Sequence, residues 1–190
     1  MFFAYILAGV MVFWLIAKHM NKQRNHEKAV EKVSGRLKKI CGKPGEVLKN
    51  ATLNLPEGKM TFDAVLMDKR GVYLVRTYGW GIKIYGTPDG AMWRREDAKR
   101  KEEFENPLLE LKKGAEEITK VMEENGVQNL KVMPMVVFAD NFQTPELYLG
   151  YGSFSTTYQE LKNWYKKQSG VKEVQYDYDK VSSIIKELAK

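Results

Sequence analysis

Apolar residues fill the first seventeen positions, MFFAYILAGVMVFWLIA, without a charge, and the run ends at Lys18-His19. As a helix it would reach about 26 Å at ~1.5 Å per residue. That approaches the ~30 Å of a hydrocarbon core when a flanking lysine reaches up to the headgroups. No basic residue precedes Phe2 and no small-residue cleavage site follows, so residues 1–17 read as a transmembrane anchor and not as a removable signal peptide. Residues 26–41, HEKAVEKVSGRLKKIC, place Val30, Val33, Leu37 and Ile40 on one narrow helical seam, with Lys and Arg around it. The seam fits packing on the domain that follows; a coiled-coil contact with a second copy would use the same positions.

Lys43-Pro44-Gly45 ends that helix, and period-two patterns take over. In KMTFDAVLM (59–67), Phe62, Ala64 and Leu66 fall on one face and Asp63, Val65 and Met67 on the other. Asp68-Lys69-Arg70-Gly71 is a hairpin turn. GVYLVRTYG (71–79) and GIKIYG (81–86) are two further strands, rich in β-branched and aromatic residues. AMWRRE after Pro88-Asp89-Gly90 is a short strand or extended arm, and RREDAKRKEEFE (94–105), with balanced charge, reads as a solvated arm.

Asn106-Pro107 opens a helix, a cap residue followed by Pro at the first helical position. Leu111, Ala115, Ile118 and Met122 form its apolar face, and Asn125-Gly126 closes it. LKVMPMVVF (130–138) is a strand buried on both faces, with Pro134 marking a bulge or irregular start. ELYLG (146–150) is a last strand. Two helices finish the chain, one capped near Ser155 or Thr157 with Glu160 completing a capping box, the other running from Asp179. The predicted fold class is α/β (α+β), a mixed sheet flanked by helices with one N-terminal transmembrane helix. Its divisions are the anchor 1–17, a basic juxtamembrane helix 18–44, a strand-rich domain 45–150, and C-terminal helices 151–190 packed on it.

Charge changes the picture through where it lies. The net +7 of the 190 residues would suit an acidic partner such as nucleic acid. Residues 18–44 hold nine Lys/Arg against Glu27 and Glu31, and residues 45–190 hold 22 charges of each sign. The excess therefore follows the apolar segment. Under the positive-inside rule it places residues 18–190 in the cytoplasm, with Lys18, Lys22, Arg24 and Lys28 against anionic lipid. One cysteine excludes a disulfide framework, and His19 and His26 have no carboxylate or cysteine at ligand spacing.

Several residues in order carry a resemblance. Gly45-Glu46, Asp63 ahead of Gly71-Val72, Gly81, Gly86, Trp93, Asn106-Pro107 and Val136-Val137-Phe138 together resemble the nuclease-related domain (NERD) family, of the restriction-endonuclease-like PD-(D/E)xK fold. The resemblance implies a nuclease site in which carboxylates hold Mg²⁺ and a Lys lies beside the attacking water. Asp63 stands at the family's catalytic Asp, and Glu46 in its opening Gly-Glu. Where the family has Glu-x-Lys this chain has Arg76-Thr77-Tyr78, a cation in place of a metal ligand and a phenol in place of the lysine. Lys83 is a candidate migrated lysine, and Glu110 lies near the place of the family's Gln after Asn-Pro.

These readings lead to a membrane-anchored, catalytically inactive nuclease-like domain that serves as a cytoplasmic protein-interaction or scaffold module. The vestigial candidates are Glu46, Asp63, Arg76, Tyr78 and Lys83, with Asp63 paired to Arg76 and Glu46 in the first turn of a helix. No cofactor is expected; Mg²⁺ or Mn²⁺ enters only under the alternative of a metal-dependent DNase with a rearranged site, held by Asp63 and Glu46. A second alternative is nucleic-acid binding without cleavage, through Trp80, Tyr85, Trp93, Arg94 and Arg95; cross-strand aromatic pairing explains the same residues without a ligand.

Overall fold

The computed structural model describes residues 2–23, 26–79, 81–98, 100–140, 143–167 and 176–190, without the side chains of 2–4, 8 and 18–23. Two helices come first, α1 (Phe2–Gln23) and α2 (His26–Cys41). Among the described residues no helix is long and apolar enough to cross a membrane, so the expected transmembrane anchor at 1–17 is not borne out. The described α1 side chains from Tyr5 to Ile16 are apolar and exposed. Of the expected lipid contacts, Lys18, Lys22 and Arg24 lie outside the described side chains, and Lys28 is half-buried on α2.

Three antiparallel strands follow, β1 (Glu46–Leu55), β2 (Gly58–Asp68) and β3 (Gly71–Tyr78). Next come β4 (Lys83–Gly86), β5 (Met92–Glu96), β6 (Lys101–Glu105), α3 (Pro107–Glu124), β7 (Val132–Phe138), β8 (Glu146–Leu149), β9 (Ser155–Thr157), α4 (Leu161–Lys167) and α5 (Tyr178–Leu188). The strands form two sheets where one was expected. The larger is mixed, in the order β1-β2-β3-β7-β9, and the smaller runs β6-β5-β4-β8. Residues 94–105 are thus a hairpin and not a solvated arm. Phe104 alone on β6 turns inward, while cross-strand pairs such as Arg95–Glu102 and Lys101–Glu96 hold the rest.

Two apolar cores lie on opposite faces of the larger sheet. One joins Leu53, Phe62, Val65, Leu74 and Val136 to α3, α5 and the smaller sheet; the other joins Ala64, Leu66, Tyr73, Val75 and Val137 to α2 and α4. The α2 seam is buried in the second core through Val33 and Leu37, so its own domain occupies the face a coiled coil would need. Phe62 parts from Ala64 and Leu66, contrary to simple alternation. The β1–β2 ladder passes over Asn50 and Asp63 between Lys49↔Ala64 and Ala51↔Phe62, and Asn50 has φ 49°. Asn tolerates that left-handed conformation, and the kink lets both strands exchange faces there. Asp63 sits at this bend.

Pro134 makes no bulge. Val136 donates its N–H toward the β9 side, to Phe154 O, so position 134 faces the same side before β9 begins and no partner misses its N–H. Thr157 ends a strand instead of opening a helix, though its Oγ1 still accepts from Glu160 N–H ahead of α4. Asn106 caps α3 by accepting from Leu108 N–H, and its amide donates to the carbonyls of Pro88 and Gly90, tying helix to hairpin.

Candidate functional site

The bend in β2 decides what Asp63 does. Beyond Ala64↔Val75 the β2–β3 ladder stops, and Thr77 N–H would lack an acceptor. The Asp63 carboxylate supplies it, with Oδ2 accepting from Thr77 N–H at 2.6 Å. Its other oxygen lies 3.2 Å from His26 Nε2 and 3.8 Å from Arg76 Nη1, and the residue is buried. Arg76 Nη2 donates to Glu110 Oε2 at 2.6 Å and to the Thr61 carbonyl at 3.2 Å. Glu110 stands in the first turn of α3, where the helix dipole favours a carboxylate. The result is a chain of contacts, His26–Asp63–Arg76–Glu110, drawn from four elements.

The expected pairing of Asp63 with Arg76 is found. Glu46 is not part of it. It lies on β1 rather than in a helix, opposite Met67, four ladder positions and so about 13 Å from Asp63. There it accepts from Lys186 Nζ at 2.7 Å and Ser182 Oγ at 3.2 Å, both on α5. Lys83, the candidate migrated lysine, belongs to the smaller sheet, exposed, in register with Glu96 and Glu146. Tyr78 stacks on Phe138 at 5.5 Å and tilts against Phe104 at 4.9 Å, and burial pushes its phenol up to about 12. At the place of the family's lysine this side chain is neutral and packed.

Mg²⁺, which the resemblance implies, asks for about six oxygen ligands from an oxygen-lined site. Here Asp63 Oδ2 accepts from Thr77 N–H, Oδ1 faces the Arg76 guanidinium at 3.8 Å, and the second carboxylate in reach, Glu110, is bound to that guanidinium. Among the described residues no three His, Cys, Asp or Glu side chains form a group that could hold a metal. The residues present do not fit the ion. A cleft of about 620 Å³ opens beside Arg76 and Tyr78, and Glu105, Glu110, Met92 and Leu109 line it. Its rim is acidic and apolar.

The aromatic–basic candidates do not converge. Trp93 is a core residue, 1% exposed, and donates Nε1–H to Thr87 O. Arg95 is tucked under Phe104 and bound to Glu102. Tyr85 stacks on Tyr148 at 4.9 Å with the Arg94 guanidinium 4.8 Å from its centroid, and Trp80 lies outside the described residues. Sequence reasoning missed His26, because the carboxylate that meets it comes from another element and no local spacing signals it. Glu110 did leave a signal, its place after Asn-Pro.

No curated protein and no solved structure matches the chain. Residues 22–139 match the family model described as nuclease-related domain, a stretch that takes in α2, the β1–β3 meander, the smaller sheet's hairpin, α3 and β7. With well over half of its length covered, the chain belongs to the nuclease-related domain family.

Proposed function

We propose that this nuclease-related domain has lost cleavage and serves as a protein-interaction module held at the cytoplasmic face of a membrane. The observation that carries the first half is the Arg76 guanidinium set between Asp63 and Glu110. A phosphodiester at this site would meet a cation already neutralised, and beyond it the acidic rim of Glu105 and Glu110. In place of the family's lysine stands Tyr78, neutral and packed against Phe104 and Phe138. An apolar and acidic cleft suits a peptide or protein surface better than a nucleic-acid backbone.

The full chain, incubated with supercoiled plasmid and Mg²⁺ or Mn²⁺, is expected to leave it intact, as is an Asp63→Ala variant. Nicking by the wild type that Asp63→Ala abolishes would establish the alternative, a DNase with a rearranged metal site.

The exposed apolar side chains from Tyr5 to Ile16 support the membrane half of the proposal. Deleting residues 1–17 is expected to move the protein from the pelleted membrane fraction to the supernatant. Full retention in the pellet would assign membrane contact to another part of the chain.

A further inference from the structure

On the sheet face away from α3, α2 and α4 enclose a groove of about 750 Å³. Among the described residues that line it, Lys32, Arg36, Lys39, Arg70, Lys162 and Lys166 are cationic and Glu31 is the one carboxylate. Two tyrosines organise them. The Tyr158 ring has Lys32 Nζ 4.4 Å and the Arg36 guanidinium 4.5 Å from its centroid, and the Tyr165 ring has Arg70 at 4.0 Å. Backbone carbonyls fix both guanidiniums without neutralising them, Arg36 donating to Gln159 O at 3.3 Å and Arg70 to Tyr165 O at 2.9 Å. Buried Asp68 locks this arrangement from beneath, accepting from the Tyr165 hydroxyl and from Arg70 N–H. Among the described residues, no carboxylate lies within ion-pair distance of Arg36, Lys39, Arg70 or Lys162.

Like charges gathered in a concavity repel one another, and a multivalent anion relieves the repulsion. Oriented guanidinium forks match phosphate oxygens, and lysines add point charge around them. From this we infer that the α2–α4 groove binds a compact, multiply phosphorylated anion, either a lipid headgroup or a soluble phosphate ester. A nucleic-acid strand fits less well. The tyrosine faces already carry cations and are not free to stack on bases. The inference is independent of whether the Asp63 site cleaves.

Pyrophosphate is the first probe, titrated by calorimetry into the full chain in a neutral detergent. Saturable binding is expected, weakening as salt rises. The Lys39→Ala/Lys162→Ala double variant changes two exposed side chains and should melt as the wild type does, yet bind at least about tenfold more weakly. Arg36→Lys, which keeps charge but loses the fork, should also weaken binding. Repeating the titration in nanodiscs of phosphatidylcholine with or without cardiolipin separates the two sources. Competition by cardiolipin assigns the groove to a headgroup, and unchanged pyrophosphate affinity assigns it to a soluble ligand. Absence of saturable binding, or equal affinity in the double variant, would overturn the proposal. So would a single-stranded oligonucleotide that binds more tightly than pyrophosphate and loses its affinity in the same variant.

Discussion

Trp93→Ala is expected to lower stability by about 3–5 kcal/mol, the range for truncating a fully buried aromatic. The indole lies flat against Gly86, where even a Cβ would collide with it, and its edge meets Phe104 at 6.3 Å. Phe138 of the larger sheet lies 6.5 Å away, so the one side chain fastens the smaller sheet to the larger. Removing it leaves a cavity between the two sheets and takes one of its donors, the Nε1–H, from the Thr87 carbonyl. Trp93→Phe should cost much less, about 1–2 kcal/mol, because it keeps most of the ring and loses mainly the hydrogen bond. Midpoints in a urea titration read both. A Trp93→Ala protein as stable as the wild type would mean the indole works on a ligand at the surface and not in the core.

How far the sequence reveals the fold depends on how much of each element is decided locally. The α2 helix is legible from 26 to 41 because its seam recurs at helical spacing, and α3 because Asn106-Pro107 announces its start. β1 is hard to read: EVLKNATLNL mixes polar and apolar positions because it is an edge strand, and its buried positions, Ala51, Leu53 and Leu55, come only after the kink at Asn50. β6 is illegible for another reason. KEEFE has a single inward residue, and its pairing partner, not its own pattern, makes it a strand. The assignment of β4 to a second sheet rests on its parallel pairing with β8, a contact between distant segments that periodicity cannot encode.

The site divides the same way. Arg76 and Tyr78 are visible in the sequence as departures from the family's Glu-x-Lys, because both stand on one strand. The groups that make those departures consistent, Glu110 on α3 and His26 on α2, arrive through packing of helices on opposite faces of the sheet. Glu46 illustrates the converse: grouped with Asp63 as a candidate ligand by the resemblance, it lies four ladder positions away along β1 and is held by Lys186 of α5.

Asp63→Ala gives the second large expected effect, a loss of about 2–4 kcal/mol. The carboxylate is 5% exposed and is the acceptor for Thr77 N–H where the β2–β3 ladder fails; truncation strands a backbone donor inside the protein and removes a counter-charge from Arg76. Asp63→Asn keeps an acceptor for Thr77 and should recover most of the loss. Arg76→Leu introduced into the Asp63→Ala background should cost less than Arg76→Leu alone, with a coupling of about 0.5–3 kcal/mol. The sign of the first effect separates two kinds of site. In a metal-dependent nuclease, catalytic carboxylates are gathered against their mutual repulsion, and removing one in the absence of metal relieves strain and stabilises the fold. In this protein the carboxylate accepts from Thr77 N–H and faces the Arg76 guanidinium, so its removal should destabilise whether or not Mg²⁺ is present. A stabilised Asp63→Ala variant, or a wild type whose melting temperature rises with Mg²⁺ while the variant's does not, would restore Asp63 to a metal-binding role.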